Sequence, residues 1–290
     1  MDNHKRVLIL LCAVISAVAI AACGCMSPTQ TTQSGKLTVF AAASLTDAFN
    51  EIGRSYQANH TDTNISFNFG GSQVLRTQIE QGARADVFAS ANLKQMNALK
   101  DQGLMNNSSI TVFAKNKLAI IVPAANPANI TNLSDLARSG IKLVVGTKDV
   151  PCGDYTIQML NNTANVTAYG PDFKNRTLAN VVSQEPNVNG IVTKVALGEA
   201  DAGIVYVSDV PLQYKDKVQT IAIPDSVNVV AQYPIGVLSG TKNAQEAQSF
   251  IDFVKSPAGQ TILQKYGFIV VYPLTQQTAT THVAVSAQTT

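Results

Sequence analysis

Histidine is scarce in this chain: three residues in 290, at His4, His60 and His282. The first falls in an N-terminal apolar segment, the second near the end of an expected helix, and the third in a polar C-terminal stretch. A histidine-based catalytic site is therefore hard to build. No Gly-X-Ser-X-Gly elbow stands before a helix either, which removes the usual hydrolase arrangement. Four cysteines occur, and two of them, Cys12 and Cys23, lie in or at the end of the N-terminal apolar segment. Cys25 follows in a polar stretch and Cys152 lies alone in the body, so a disulfide scaffold is excluded and no spacing suits zinc. Tryptophan is absent and other aromatics are few. The net charge is +2, and Asp2, Lys5 and Arg6 belong to the N-terminal segment, so the rest is close to neutral. With no basic stripe and no acidic run, nucleic acid is not an expected partner.

The apolar run Val7–Ala22 follows Lys5 and Arg6. It is too short for a bilayer span of ~20 apolar residues and matches a secretory signal, residues 1–22. Its end, Ile20-Ala21-Ala22-Cys23, resembles the lipobox of prokaryotic lipoproteins, which implies lipid on Cys23; the alternative is plain cleavage after Ala22. Residues 23–35 then read as a lipidated N-terminus and polar tether, and 275–290 as a disordered tail. Asn-X-Ser/Thr sequons, from Asn59 to Asn175, fit an exported protein, an archaeal one included.

Between these ends, strand-like and helix-like segments alternate. Strands are expected at 37–42, 64–69, 86–89, 117–122, 142–146, 202–206, 218–222 and 234–238. Helices are expected at 44–58, 72–82, 92–101, 132–138, 153–161, 188–198, 242–254 and 256–265. Such alternation argues an α/β fold with mostly parallel strands.

Three strand-to-helix junctions stand out. In the first, Leu37-Thr-Val-Phe-Ala-Ala-Ala runs into Ser44, which fits an N-cap with Asp47 as its capping partner. In the second, Phe69-Gly70-Gly71 places Ser72 at a helix start, and the glycines permit close approach. The third is Val150-Pro-Cys152-Gly153, where a buried strand leads into a helix through proline and glycine. Ligands of α/β sheets bind at the carboxyl ends of strands. Small residues and serines there suit a compact polyoxygen ligand held by hydrogen bonds at helix N-termini. Taken singly, each junction is also a plain capped turn.

With these residues in hand, the chain resembles the periplasmic molybdate-binding proteins of molybdate ABC transporters over nearly all of 37–272. The resemblance rests on Val39–Ala48, Gln78–Ser90, Val150–Gly153, Gly203–Asp209, Tyr233–Val237 and Lys265–Phe268, in the family's order. It implies a two-lobed, type II periplasmic-binding-protein fold. Lobe one would comprise 36–112 and 231–274, lobe two 113–230, with the ligand in the cleft between them. By motif, Ser44 and Ser72 would bind oxyanion oxygens from the first lobe. Cys152 and Val188 would offer backbone N–H groups from the second, and Tyr206 its phenol. The ligand would be molybdate or tungstate, with no cofactor, and the partners the membrane subunits of an ABC importer, served by a monomeric lipoprotein. Cys152 stands where the bacterial proteins often have alanine, which puts a thiol near the ligand. An archaeal branch adds carboxylates for octahedral coordination; Asp149 and Asp154 could be read so, but Tyr206 keeps the tetrahedral pattern. The competing readings are a receptor for sulfate or phosphate, an exported enzyme, and a structural surface lipoprotein.

Overall fold

Strand β1 (Gly35–Ala42) runs parallel between β2 (Thr63–Gly70) and β3 (Val87–Ala89). Its Leu37, Val39 and Ala41 are fully buried, as in parallel strands covered on both faces. The computed structural model describes residues 35–210 and 214–275. The expectations for the signal, the lipobox Cys23, most of the tether and the tail fall outside those residues. Helix α1 (Thr46–Asn59) links β1 to β2, α2 (Ser72–Glu80) links β2 to β3, and α3 (Leu93–Asp101) follows β3. Phe49 of α1 packs at 5.6 Å between ring centres on Phe113, and at 6.0 Å on Phe250.

The long strand β4 (Thr111–Pro123) then carries the chain into a second set of strands. That set holds β5 (Leu143–Gly146), helix α4 (Pro151–Asn162), helix α5 (Phe173–Ala179), β6 (Val181–Glu185), helix α6 (Val188–Ala196), β7 (Ala202–Tyr206) and β8 (Val218–Ala222). Strand β9 (Val230–Val237) returns the chain, and α7 (Ala244–Lys255), α8 (Pro257–Lys265) and β10 (Ile269–Val270) finish it. The sheet order is β2-β1-β3-β9-β4-β7-β5-β6, with β8 and β10 also paired to β4. Thr111–Lys117 of β4 pair with β9, whereas Leu118–Ile121 pair with β7. One strand thus belongs to both sets, and β9 crosses back beside it. Among the described residues no helix is long and apolar enough to cross a membrane.

Several expectations shift. Ser44 does not cap α1: it sits inside a short 3-10 turn, Ala43–Leu45, and no side chain caps either helical segment there. Instead the Thr46 hydroxyl closes that turn on the Ala43 carbonyl at 2.7 Å. The segment at 132–138 is a 3-10 turn, Leu133–Ala137, capped by Asn132. The strand at β6 and the helix α5 were not expected. Both are short; β6 has no buried residue and α5 only Phe173 and Thr177, and Val-Val-Ser-Gln-Glu gives no alternation of apolar and polar residues to read.

Strand β7 ends on Tyr206, and the following turn brings back Asp209, which is buried. Asp209 Oδ2 accepts the Tyr206 N–H at 2.7 Å. Burial pushes this carboxyl from the ordinary 3.8 up to about 8, against the pull of the Tyr206 N–H bond. The folded chain therefore keeps a proton that the unfolded chain loses near pH 4. Stability from this group is complete below pH 4 and is lost as the pH rises to about 8, by up to ~1.4 kcal/mol per pH unit. Asp209→Asn should flatten that slope. Urea unfolding of both proteins from pH 5 to pH 8 measures it, and parallel profiles would contradict the assignment.

Candidate functional site

Five strand ends converge. The chain leaves β1 at Ala42, β2 at Gly70, β5 at Gly146, β6 at Glu185 and β7 at Tyr206, and each exit leads directly to a residue singled out from the sequence. Ser44, Ser72, Cys152, Val188 and Tyr206 all line one small cavity, together with Gly71, Asn187 and neighbouring small residues. The cavity is small, about the space of a single water molecule, and far too small for an extended ligand. Among the described residues no Asp, Glu, Lys or Arg lines it.

Three helices begin on this cavity. In α2 the first intrahelical bonds come from Val74 and Leu75, both onto the Gly71 carbonyl, so the Ser72 and Gln73 N–H groups precede any intrahelical acceptor. In α4 the first such bond runs from Asp154 to Val150. Pro151 has no N–H to offer, and Cys152 and Gly153 present theirs. In α6 the Asn187 side chain takes the Gly190 N–H at 3.2 Å, leaving Val188 and Asn189 at the mouth. Each terminus also carries the positive end of a helix dipole. The approach of α4 to β5 depends on Gly153: a Cβ there would lie 2.1 Å from the Thr147 carbonyl oxygen and 2.5 Å from that of Gly146.

The hydroxyls are held from behind. Ser72 Oγ accepts the Ala91 N–H at 3.0 Å, which leaves its own proton to donate forward. Ser44 Oγ lies 3.0 Å from the Tyr233 phenol. With Tyr233 donating, the Ser44 proton is also directed into the cavity. Tyr206 is 1% exposed, and its phenol oxygen has no partner among the described residues. Burial raises the Tyr206 phenol well above its ordinary value, helped by nearby Tyr233, so it stays protonated. Burial first, then the neighbouring Asp209, does the same for Tyr233.

The Cys152 thiol is buried and already has a partner. The thiol donates to the Ile204 carbonyl at 3.4 Å, and burial pushes it well above the usual thiol range. The expected thiol near the cavity is thus present there in its protonated form. Asp149 and Asp154 do not line the cavity. The Asp154 carboxylate instead accepts from Gln158 at 3.1 Å, and the Asp149 carbonyl accepts from Gln95. Among the described residues no group of three or more His, Cys, Asp or Glu side chains is placed to hold a metal ion. Tyr233 is a supporting residue that the sequence reading missed. Its motif was visible, but its pairing with Ser44 across 189 residues was not.

Comparison with known proteins agrees with this architecture. The family described as bacterial extracellular solute-binding protein matches residues 37–269. The molybdate-binding protein ModA of Mycobacterium tuberculosis is 39% identical over 263 residues, covering 88% of this chain and 95% of its own. The periplasmic molybdate-binding protein of Azotobacter vinelandii superposes with a TM-score of 0.69 at 20% identity, over 81% of this chain and 99% of its own. The sulfate-binding protein SubI of M. tuberculosis gives 0.75 at 17%, over 82% and 88%. At those identities the two structures speak for the fold alone, which is the expected type II periplasmic-binding-protein fold. The chain belongs to the bacterial extracellular solute-binding proteins, a family that works outside the cytoplasm.

Proposed function

We propose that this chain captures molybdate or tungstate outside the cytoplasmic membrane and hands it to the membrane subunits of an ABC importer. The observation that carries the reading is the Tyr206 phenol, buried, protonated and without a partner among the described residues, at a cavity on which three helix N-termini converge. A buried donor without an acceptor costs about 1–3 kcal/mol, and a bound oxyanion would remove that cost. The 39%-identical mycobacterial protein, named for molybdate, supports the same ligand.

The donor set fits the chemistry. Molybdate and tungstate are fully deprotonated at neutral pH and present acceptors only. A lining of N–H and O–H groups without a carboxylate meets them on every side. A hydrogen phosphate would find no carboxylate to accept its proton. Neutral donors also avoid burying a further charged side chain, which is costly even when paired. The same residues, Ser44, Ser72, Cys152, Val188 and Tyr206, bind the oxyanion in a four-coordinate, tetrahedral form. Residues 36–112 with 231–274 form one lobe and 113–230 the other, so neither lobe alone surrounds the ligand. The chain acts as a monomeric binding protein rather than an enzyme, anchored through lipid on Cys23.

Titration calorimetry tests the ligand. Molybdate and tungstate should bind tightly and sulfate at least tenfold more weakly; sulfate within tenfold of molybdate would sink the assignment. Ser44→Ala and Ser72→Ala should each cost ~1.5–3 kcal/mol of binding, the range of a charge-assisted hydrogen bond. Tyr206→Phe should weaken binding without abolishing it. If all three variants bind like wild type, the ligand lies elsewhere.

The anchor has its own check. Intact-mass analysis of the protein from its native membrane should find a diacylated Cys23 as the first residue. A mature N-terminus without lipid, or cleavage at another bond, would refute it.

A further inference from the structure

The two strand sets touch at the rim of the cavity, and these contacts lie outside the space the ligand would fill. Gln73 Nε2 donates to the Pro186 carbonyl at 2.9 Å, and Gln95 Nε2 to the Asp149 carbonyl at 3.3 Å. Gln73 stands beside Ser72 in α2, and Gln95 lies in α3. Both acceptors lie in the loops that lead into the amide donors of the other set: Pro186 just before Val188, Asp149 just before Cys152. The rim therefore ties hydroxyl donors on one side to amide donors on the other.

Gly71 governs how close they come. A Cβ on Gly71 would lie 2.4 Å from the Pro186 carbonyl oxygen and 2.7 Å from the Gln73 carboxamide. The carboxamide can move aside, but the Pro186 oxygen belongs to the backbone of the opposite set. The backbone at Gly71, φ −60° and ψ 132°, is open to any residue. Glycine is thus required here for the approach of the two sets and not for the local turn.

The glutamines do not act as a lock. Oε1 of Gln73 and of Gln95 is buried without a partner among the described residues. A gained hydrogen bond and a buried, unpaired oxygen are of similar size and opposite sign. The pair orients the two loops but supplies little net energy to hold an empty cleft shut.

We propose that Gly71, by its contact with the Pro186 carbonyl, is a positioning residue that sets the distance at which the two lobes close, and so places the Cys152 and Val188 amides on the bound oxyanion. This rests on the oxyanion-receptor reading above. A side chain at position 71 leaves the open form intact and stops closure short. The ligand then binds at the usual rate but escapes faster.

Stopped-flow binding of molybdate to the purified protein tests this, with thermal unfolding and small-angle scattering of the same samples. Gly71→Ala should keep the ligand-free melting temperature and the association rate of wild type. Its dissociation should be at least tenfold faster, and Gly71→Val faster still. At saturation the radius of gyration of both variants should stay above that of loaded wild type. Removing the Gln73 carboxamide as well (Gly71→Ala with Gln73→Ala) should not restore slow dissociation, because the Pro186 oxygen remains. The double variant Gln73→Ala with Gln95→Ala should change affinity by less than about threefold. Wild-type dissociation in Gly71→Ala would overturn the proposal, as would a lowered ligand-free melting temperature or rescue by loss of Gln73. Failure of the wild-type chain to bind either molybdate or tungstate would instead overturn the oxyanion reading and this proposal with it.

Discussion

Backbone N–H groups gathered at the carboxyl ends of parallel strands are the constraint on which the rest of this structure depends. A small dianion can be withdrawn from water without a counter-charge only if donors meet it from several directions at once. One helix supplies two or three such donors, all on one side. Parallel strands solve the problem, because each crossover delivers its helix start to the same edge of the sheet. Two such edges, tied through β4 and β9, bring α2, α4 and α6 to one point. The long central strand is therefore as much a part of the site as the serines are.

A second layer keeps that point neutral. Tyr206, Tyr233, Cys152 and Asp209 are all buried, and burial favours the protonated form of each. An ionised carboxylate at Asp209 would stand behind Tyr206 and repel a dianion through a medium of low dielectric. Kept protonated, it still orients the strand end by accepting the Tyr206 N–H. The ring of Tyr206 meets Tyr233 edge-on at 5.6 Å, so the two phenols are fixed by packing before any ligand arrives. Two phenols held in this way have little side-chain entropy left to lose.

Much of this was legible in the chain, for physical reasons that differ by residue. Ser72 could be read because a glycine pair after an alternating strand marks a helix start. Cys152 and Val188 came from the family motif alone; in the structure Cys152 follows the first residue of its helix, Pro151, and Val188 follows its helix cap, Asn187. The place of Ser44 at the cavity was readable, but its local geometry was not: three successive alanines permit a 3-10 turn that no capping rule anticipates, and the serine turns to Tyr233 instead of to its own helix. Strand β6 was missed because it is an edge strand whose residues are only half buried. Pairings over long separations, such as Ser44 with Tyr233 or Gln73 with Pro186, leave no periodic trace in a single sequence.

Selectivity by size would follow from the same rigidity. The donors on the second strand set are peptide groups whose positions are fixed by close packing, as Gly153 against the Thr147 and Gly146 carbonyls shows. Peptide groups held this way cannot contract around a smaller tetrahedral anion of equal charge. Such an anion would reach some donors and leave others stretched. Each buried donor left unmet costs about 1–3 kcal/mol, so two of them account for a discrimination of roughly 30-fold or more. No charged group is needed to tell the anions apart. A flexible lysine would in fact weaken the distinction, because its ammonium could follow the smaller ion inward. The lack of cationic side chains at this cavity is therefore the condition under which backbone geometry can measure the ligand.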